Sequence, residues 1–463
     1  MKLMIISIIG LALMACQPLT SPPRAELKVP DAFSSVAAAE GGAVAERWWL
    51  DFDDPQLNDL QARLLADNLN LRQAFLRLDQ LEARQRAAQA GLFPALNLSA
   101  SGRREQTVNQ AGAENQTSSG RMTLAAAYEI DLWQRLRHRT AAAELRLLAG
   151  EDEVRTLLLS LSARLAELYF IGVEQRAQLD LLERRLHHNR ELVRIISERY
   201  QSGLTAASEI YQAQQNLAQM EAQIPLFETT LNQTSNAIAL LLGQPPGSVQ
   251  IERHQLPALT DAIAIGLPAS LLSRRPDVSA ALLELEAADR DLAAAVADRL
   301  PRLDLSANIG RSISSLSSGN VSGTFWSLAL GLTQPLIDGG RLKAASDLQQ
   351  AIRDEKQLAS QLKILTAIEE VESALHAEQG NARREHLLAQ QQLFNENVLR
   401  IRTENYLLGL TDSLELLRSE MAQLEVRSQQ LSNQRQWISN RITLIRALGG
   451  HWMDDELDQR KTL

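Results

Sequence analysis

The chain has 463 residues, of which 45% are apolar and 4% aromatic, and its formal net charge is −9. Because it is acidic and has no block of Lys or Arg, it lacks the basic surface that nucleic acids require, and we expect no nucleic acid partner. Its single cysteine excludes a disulfide framework, a thiolate metal cluster and a CxxC redox pair. Beyond the N-terminus no apolar run reaches the length of a transmembrane helix, so any membrane-spanning part would have to be of β type.

We predict a signal peptide over residues 1–15, since a positive start is followed by an apolar stretch too short to span a membrane. Ala15 before Cys16 resembles the lipobox of bacterial lipoproteins. The resemblance implies cleavage before Cys16 and acylation of its thiol, and Gln17 in second place implies delivery to the outer membrane. Residues 16–45 would then be a lipidated tether. The alternative is a free cysteine at the end of a signal peptide.

An internal duplication organises the rest of the chain. The string Tyr200-Gln-Ser-Gly-Leu-Thr205 recurs 206 positions later as Tyr406-Leu-Leu-Gly-Leu-Thr411, and Pro94-Ala-Leu-Asn-Leu-Ser99 recurs 207 positions later from Pro301. Such anchors in one register make coincidence a poor explanation. We predict four parts: a first structural repeat over 46–243, an inter-repeat equatorial segment over 244–275, a second repeat over 276–450 and a C-terminal tail over 451–463.

Each half is predicted to open with a helix, over 57–91 and 276–299, and to continue with two strands. Leu96 and Leu98 alternate with small polar residues, and Trp326 begins a similar alternation in the second half. This period of two suits strands with lipid on one side and water on the other. Segments rich in Gly, Ser and Asn are predicted to be loops: 109–119 and 314–322.

Residues 136–202 and 342–408 lack proline, and each is predicted to form one helix about 100 Å long. Gly203 and Gly409 should end these helices, so that the chain reverses into two antiparallel hairpins. Pro225 should kink the first returning helix. Apolar residues at heptad spacing predict a coiled-coil seam: Leu182, Leu186, Val193, Ile196 and Tyr200 in the first hairpin, and Leu414, Leu417, Met421, Leu424, Leu431, Ile438 and Ile445 in the second.

Four strands cannot close a membrane barrel, since the smallest such barrels need about eight. An open strand edge in lipid leaves N–H and C=O groups unsatisfied, at a cost of several kcal/mol each. If the strands cross a membrane, at least two copies of the chain must therefore associate. The residues do not fix the number of copies.

Five strings carry a resemblance that covers about residues 46–452: Trp48-Trp-Leu-Asp-Phe-Asp-Asp-Pro-Gln-Leu57, Tyr128-Glu-Ile-Asp-Leu-Trp133, Arg274-Arg-Pro-Asp-Val278, Gln334-Pro-Leu-Ile-Asp-Gly-Gly-Arg341 and Leu448-Gly-Gly-His-Trp452. Together they resemble TolC-like outer membrane factors, in the lipoprotein (NodT-type) branch that serves RND multidrug efflux. One departure is Gln134, where the family usually has glycine, and it bears on the local turn geometry.

The resemblance implies a mainly α fold with a membrane β-barrel portion. Three chains would form a twelve-stranded barrel in the outer membrane, continued into the periplasm by an α-helical barrel with a mixed α/β belt. The implied partners are outer membrane lipid, further copies of the chain, a periplasmic adaptor and an inner membrane RND-type pump. The implied function is passive conduction of drugs or other small toxic compounds. We expect no enzyme activity and no catalytic, cofactor or metal site.

The resemblance places adaptor docking at the periplasmic tips of the two hairpins. The alternative is that these are ordinary turn residues without a partner. A glycine supplies the backbone freedom for each reversal, and an exposed leucine supplies an apolar contact. The candidate docking residues are Gly203, Leu204, Thr205, Gly409, Leu410 and Thr411.

The second tip is also where the family constricts its pore, with a leucine five residues and an aspartate nine residues after the glycine. Here these positions are Leu414 and Arg418, so only the leucine is kept. We expect a ring of Leu414 with charge pairs behind it, formed by Asp412 and Glu415 with Arg418 or with Arg402 of a neighbouring copy. The alternative is that Leu414 is only the first seam residue of the returning helix.

Two other functions stay open. The channel could serve a type I protein secretion system, or the chain could be a periplasmic coiled-coil scaffold or adaptor that forms no channel. The lipobox and the string Arg274-Arg-Pro-Asp favour efflux over secretion. Two separated strand pairs with a lipid-type alternation argue against the scaffold.

Overall fold

A computed structural model describes residues 47–108, 114–259, 274–316, 319–449 and 452–454. The predicted signal peptide, the tether and Cys16 lie outside these ranges. So do residues 260–273 of the inter-repeat segment and most of the C-terminal tail.

The described residues form a short 3-10 helix, eight α-helices and four β-strands. In chain order they are the 3-10 helix (Trp48–Phe52), α1 (Pro55–Asp67), α2 (Leu69–Ala90), β1 (Ala95–Val108), β2 (Glu114–Glu129), α3 (Arg135–Gln201), α4 (Ala207–Glu221), α5 (Ile224–Leu241), α6 (Pro276–Ala297), β3 (Arg302–Leu316), β4 (Gly319–Thr333), α7 (Arg341–Leu407) and α8 (Ser413–Leu448).

The helical opening of the first half consists of two helices, where the sequence predicted one over 57–91. Asn68 has an extended backbone and separates α1 from α2. Its side-chain oxygen accepts a hydrogen bond from the backbone N–H of Leu71 at 2.8 Å, and its side-chain nitrogen donates to the carbonyl of Leu241 at 2.7 Å. Asn68 therefore caps α2 and also fixes its position against the end of α5.

The four strands form one antiparallel sheet in the order β1-β2-β3-β4. Leu98 and Leu124 are register partners, and Ile309 lies between Leu124 and Trp326, so these apolar side chains share one face. The intervening residues are small or polar and form the other face, where the side chain of Asn308 donates to Ser327 at 3.3 Å. The predicted alternation is confirmed.

The two predicted loops are largely strand, and that prediction was wrong. β2 already begins at Glu114, β3 continues to Leu316 and β4 begins at Gly319. Ser118 in one predicted loop is the register partner of Ser315 in the other. Small polar residues continue the ladder because strand pairing uses the backbone, and strands that pass beyond an apolar band need no apolar side chains.

The two long helices are confirmed, since α3 and α7 have 67 residues each. Contrary to the expectation that no apolar run beyond the N-terminus has membrane-spanning length, one described helix, α3, has such a window, but 67% of it is buried inside the protein, as in a core helix. The predicted effect of Pro225 is also confirmed, because the first return is divided into α4 and α5 and Pro225 lies in the first turn of α5. The second return, α8, is continuous over 36 residues.

Most of the predicted seam is buried. Leu182, Leu186 and Ile196 are at most 2% exposed, and Asn189 fills one seam position in the same row. Tyr200 is 46% exposed, so its assignment to the seam was wrong. Its counterpart in the last turn of α7, Tyr406, is buried because it packs among residues of α3, α4 and α8.

Gln134, the departure from the family's glycine, takes the left-handed backbone that glycine would favour, with φ 59°. The same position before α7 is Gly340, with φ 85°. Asp131 and Asp338 accept hydrogen bonds from the first backbone N–H groups of α3 and α7. The turn geometry is thus kept in both halves, although a non-glycine residue at this φ costs about 1 kcal/mol.

The main apolar core joins the two ends of the described chain. Trp49 and Trp452 meet edge to face, with ring centroids 5.0 Å apart. The core also contains the middle of α3 and the ends of α5 and α8. At its edge the hydroxyl of Tyr169 donates to the carboxylate of Asp54 at 2.8 Å, and Arg253 pairs with the same carboxylate at 2.8 Å.

A buried arginine connects three helices where the second half begins. Arg275 lies before α6, and its guanidinium donates to the carboxylates of Asp277 and Glu370, each at 2.8 Å, and to the carbonyl of Ala447 at 3.2 Å. Glu370 is on α7 and Ala447 is in the last turn of α8. Gly449 follows, with φ 76°, where an added Cβ would lie 2.5 Å from a backbone oxygen. We call Arg275, Asp277 and Glu370 the three-helix clamp.

The clamp sets the ionisation of Asp277. Burial alone would raise the pKa of this carboxyl, but hydrogen bonds and charge from Arg275 and Lys363 outweigh burial and lower the pKa from 3.8 to about 2. A lowered folded-state pKa means that the carboxylate stabilises the fold above about pH 4. This contribution is lost as the pH falls from there towards 2.

We expect Arg275→Ala to lower the free energy of unfolding by about 3 kcal/mol at neutral pH, because Glu370 loses its arginine partner and the largely buried Asp277 keeps only Lys363 as a counter-charge. The difference from the unmodified protein should narrow between about pH 4 and pH 2. Unfolding by guanidinium chloride in detergent, followed by circular dichroism, measures both. Arg274→Ala is the control, since the Arg274 side chain makes no ion pair with the described residues. Equal losses in the two variants would contradict the clamp.

Candidate functional site

The two hairpin tips have the same backbone structure. The N–H groups of Gly203 and Leu204 donate to the carbonyls of Tyr200 and Arg199, both at 2.8 Å. At the second tip the N–H groups of Gly409 and Leu410 donate to the carbonyls of Tyr406 at 3.1 Å and Asn405 at 2.8 Å. This pair of bonds is the Schellman motif, which requires a left-handed residue after the helix, and the glycines have φ 74° and 72°.

The side chains at the tips differ between the hairpins. Leu204 and Leu410 are 69% and 73% exposed, and Thr205 and Thr411 are half-buried. The second tip carries two further exposed leucines that sequence reasoning did not single out: Leu407 and Leu408, at 78% and 72%. Since the first tip has Gln and Ser at the corresponding positions, the second tip is the more apolar of the two.

A cluster behind the tips joins the two hairpins of one chain. Its apolar members come from α3, α4, α7 and α8: Leu192, Ile196, Ala213, Tyr406, Leu416 and Leu417. The guanidinium of Arg199 lies over the ring of Tyr406, 5.1 Å from its centroid. The hydroxyl of Ser413 donates to Glu209, which connects α8 with α4. We call this set of contacts the tip cluster.

Sequence reasoning did not predict the tip cluster, although the repeated string already contained one of its members, Tyr406. Tyr200 and Tyr406 correspond in the duplication, yet Tyr406 is 6% exposed and Tyr200 is 46% exposed.

Burial alone would raise the pKa of Glu209, but hydrogen bonds involving Ser413 and Thr205 outweigh it and lower the pKa. Glu209 therefore stays ionised at neutral pH and holds the contact between the two return helices.

The charged residues proposed for the pore gate form a compact group in one chain. Glu415 pairs with Arg418 at 3.0 Å and with Arg402 at 3.3 Å, and this Arg402 belongs to the same chain. Asp412 is the N-cap of α8 and accepts from the backbone N–H of Glu415 at 3.0 Å. Leu414 is half-buried, whereas the next two leucines along α8 are buried.

A match to the outer membrane efflux protein family covers residues 60–244 and 267–450, one range in each half. The chain belongs to this outer membrane efflux protein family. It is 31% identical to the outer membrane protein OprJ of Pseudomonas aeruginosa, over 96% of this chain and 95% of OprJ. It is 30% identical to the pyoverdine export outer membrane protein OpmQ of Pseudomonas putida, over 96% and 97% of the two chains.

Solved structures of outer membrane channels share the fold. The OprN channel superposes with a TM-score of 0.84 at 26% identity, over 94% of this chain and 99% of that one. The CmeC channel of Campylobacter jejuni gives 0.85 at 22% identity, over 96% and 97%, which shows the common fold. The predicted family, fold class and outer membrane location are confirmed. This outer membrane efflux protein belongs to a transport family and not to a family of enzymes.

Replacing glycine by alanine should change the stability in opposite directions at Gly409 and at Gly380. We expect Gly409→Ala to destabilise the second hairpin by about 1 kcal/mol, because alanine is strained at a φ of 72°. Gly380→Ala is the matched control. It lies within α7 with open space around it, so we expect a gain of about 0.5–1 kcal/mol. Chemical unfolding of detergent-solubilised protein measures both, and a loss at both positions would contradict the assigned turn.

Proposed function

We propose that three copies of this chain form the exit duct of a tripartite efflux system, which passively conducts drugs or other small toxic compounds out of the cell. The observation that carries the proposal is the sheet, with one apolar face, one polar face and two unpaired edges. A related protein of Pseudomonas putida, TtgC, 28% identical over 444 residues, is named a probable efflux pump outer membrane protein.

The unpaired edges support association of several copies. In the described chain, β1 pairs with β2 and β4 pairs with β3, so the outer backbone groups of β1 and β4 have no strand partner. Joining β4 of one copy to β1 of the next satisfies these groups. Three copies then give twelve strands around a common axis, with the polar faces lining the lumen.

The long helix α7 supports the same association. It carries apolar residues at helical spacing that are about half or more exposed against the described part of the chain: Leu358, Leu362, Leu365, Leu387, Phe394, Val398 and Ile401. An exposed apolar row of this kind is typical of a helix that packs beside another helix. The neighbouring copy would supply that helix and complete the periplasmic tunnel.

The tips are the part of the chain that would meet a periplasmic adaptor, and the adaptor would connect the duct to an inner membrane RND-type pump. Each tip is the end of a helical hairpin and presents an exposed leucine, Leu204 or Leu410, beside a turn glycine. An apolar group at a rigid turn suits a contact with the end of another helical hairpin. Acylation of Cys16 would hold the N-terminus of each chain at the membrane.

Docking at the tips can be tested with one bulky substitution. We expect Gly409→Trp to abolish export, because tryptophan blocks the apolar end of the hairpin and disturbs its turn. Drug resistance of cells that depend on this channel measures export, and the native mass of detergent-extracted protein should remain that of three acylated chains. Gly247→Trp is the control, since Gly247 is also a turn glycine in open space, with φ 85°, but away from the tips. Full resistance with Gly409→Trp would disprove docking here.

The group around Leu414 would close the duct at rest. Three copies would bring three Leu414 side chains together, with Glu415 held by Arg402 and Arg418 behind them. An apolar ring excludes water and ions, and paired charges keep the returning helix in place.

Conductance across a planar bilayer tests this gate. We expect Leu414→Ala to increase single-channel conductance several-fold, because the apolar ring becomes wider. Leu226→Ala is the control, since Leu226 is an exposed leucine of α5 far along the chain from the tip. Unchanged conductance with Leu414→Ala would leave this leucine with only a packing role.

The two alternative functions have less support. Two of the relatives, OpmQ and TtgC, are named as export or efflux proteins of the outer membrane, and a four-stranded sheet with a lipid-type face has no use in a periplasmic scaffold. Native mass separates the channel from the scaffold. A monomer or dimer released without detergent would favour the scaffold over the channel.

A further inference from the structure

Two arginines lie on the apolar face of the sheet. Arg104 continues the row of Leu96 and Leu98 along β1, and Arg311 lies between Ile309 and Ile313 in the row along β3. The register partners of Arg311 are Met122 and Thr324, and that of Arg104 is Ser118. Both side chains are exposed. A charged residue on the lipid face destabilises a barrel at mid-membrane but costs little near the interface.

Their positions along the strands place both arginines at the outer interface. Arg104 is the tenth residue of β1 and Arg311 is the tenth residue of β3, counted from the helical side of the sheet. A membrane-crossing strand needs about 9–11 residues. If the hydrocarbon begins at the first residue of each strand, each arginine lies where its strand leaves the hydrocarbon, on the side away from the helices.

The duplication relates the two positions. Arg311 follows Arg104 by 207 residues, the offset that relates Pro94 to Pro301. Strands in a closed barrel are tilted, so equivalent residues of β1 and β3 can share a height although they are not register partners. Three copies would carry six such arginines around the outer rim of the barrel.

Neither arginine has a partner among the described residues, in contrast to the arginines of the polar face. There Arg103 pairs with Glu105 at 3.0 Å, and Arg121 lies over the ring of Phe325 at 5.1 Å. β4 has no carboxylate to offer as a neighbouring strand, and neither do the sequences 109–113 and 317–318 between the strands. Glu114 also lies on the apolar face, but its register partner is Val108, which is four residues further along β1 than Arg104.

We propose that Arg104 and Arg311 form a binding site for the phosphate groups of an anionic lipid in the outer leaflet. A guanidinium binds phosphate oxygens through two parallel hydrogen bonds, and its long apolar stem can lie along the lipid face while the charge reaches the headgroup. The lipid then supplies the counter-charge that the chain does not. The site rests on the proposed function, since it needs the sheet to lie in the outer membrane.

The test compares two double variants that remove equal charge from opposite faces. Arg104→Gln with Arg311→Gln removes the proposed site, and Arg103→Gln with Arg121→Gln is the control on the polar face. Each protein is reconstituted in phosphatidylcholine vesicles with and without bisphosphorylated lipid A. Native mass spectrometry then counts the lipid A retained by each trimer. We expect retention to weaken about fivefold for each arginine removed from the apolar face, and the control to match the unmodified protein.

Three further measurements separate failure of the lipid site from failure of the proposed channel. Arg104→Lys with Arg311→Lys should restore much of the retention, and inorganic phosphate alone should not displace the lipid. Displacement by inorganic phosphate, or equal retention in all variants, would overturn the lipid site. Resistance of each trimer to alkaline extraction from the vesicles reports membrane insertion. If the unmodified protein is extracted, the proposed channel fails as well, whereas an inserted trimer with arginine-independent retention rejects the lipid site alone.

Discussion

Unpaired backbone groups along the two outer edges of the sheet are the constraint on which the rest of the structure depends. In hydrocarbon each unsatisfied N–H or C=O costs several kcal/mol, so the edges of β1 and β4 require further strands. The described part of one chain provides four strands, and in the proposed channel the missing strands would come from other copies. Once the copies are arranged around an axis, the helices that continue the strands must also lie side by side. The exposed apolar row of α7 fits that arrangement.

The duplication supplies two hairpins with one backbone design, and the side chains make them different. Both tips contain a Schellman glycine, but only in the second is this glycine preceded by two leucines, Leu407 and Leu408. Tyr406 is buried under Arg199, whereas its counterpart Tyr200 faces solvent. The ring of hairpins in an assembled trimer would therefore alternate between two kinds of tip.

Local sequence signals predicted the elements that depend on local physics. The absence of proline defined α3 and α7, Pro225 divided the first return, and the alternation around Leu98 gave the faces of the sheet. The errors came from tertiary contacts. Asn68 breaks a helix because it also bonds to Leu241, and strands extend through serine-rich segments because backbone pairing does not depend on apolar side chains.

The candidate site was predicted in its positions but not in its contacts. The glycines and leucines of the tips follow from the repeated string, and their turn geometry agrees with it. The pairing of Glu415 with Arg402 of the same chain depends on how α7 and α8 meet, which no short string encodes. The same applies to the bond between Ser413 and Glu209, which are 204 residues apart.

The joint between α4 and α5 makes the two hairpins unequal in stiffness. α8 is an unbroken rod of about 54 Å, so a displacement at the second tip reaches the three-helix clamp at its other end. In the first hairpin the return is interrupted at residues 222 and 223, so its two helices can move relative to each other. The two returning helices therefore transmit a displacement differently, whereas α3 and α7 each connect a tip with the sheet through one unbroken helix.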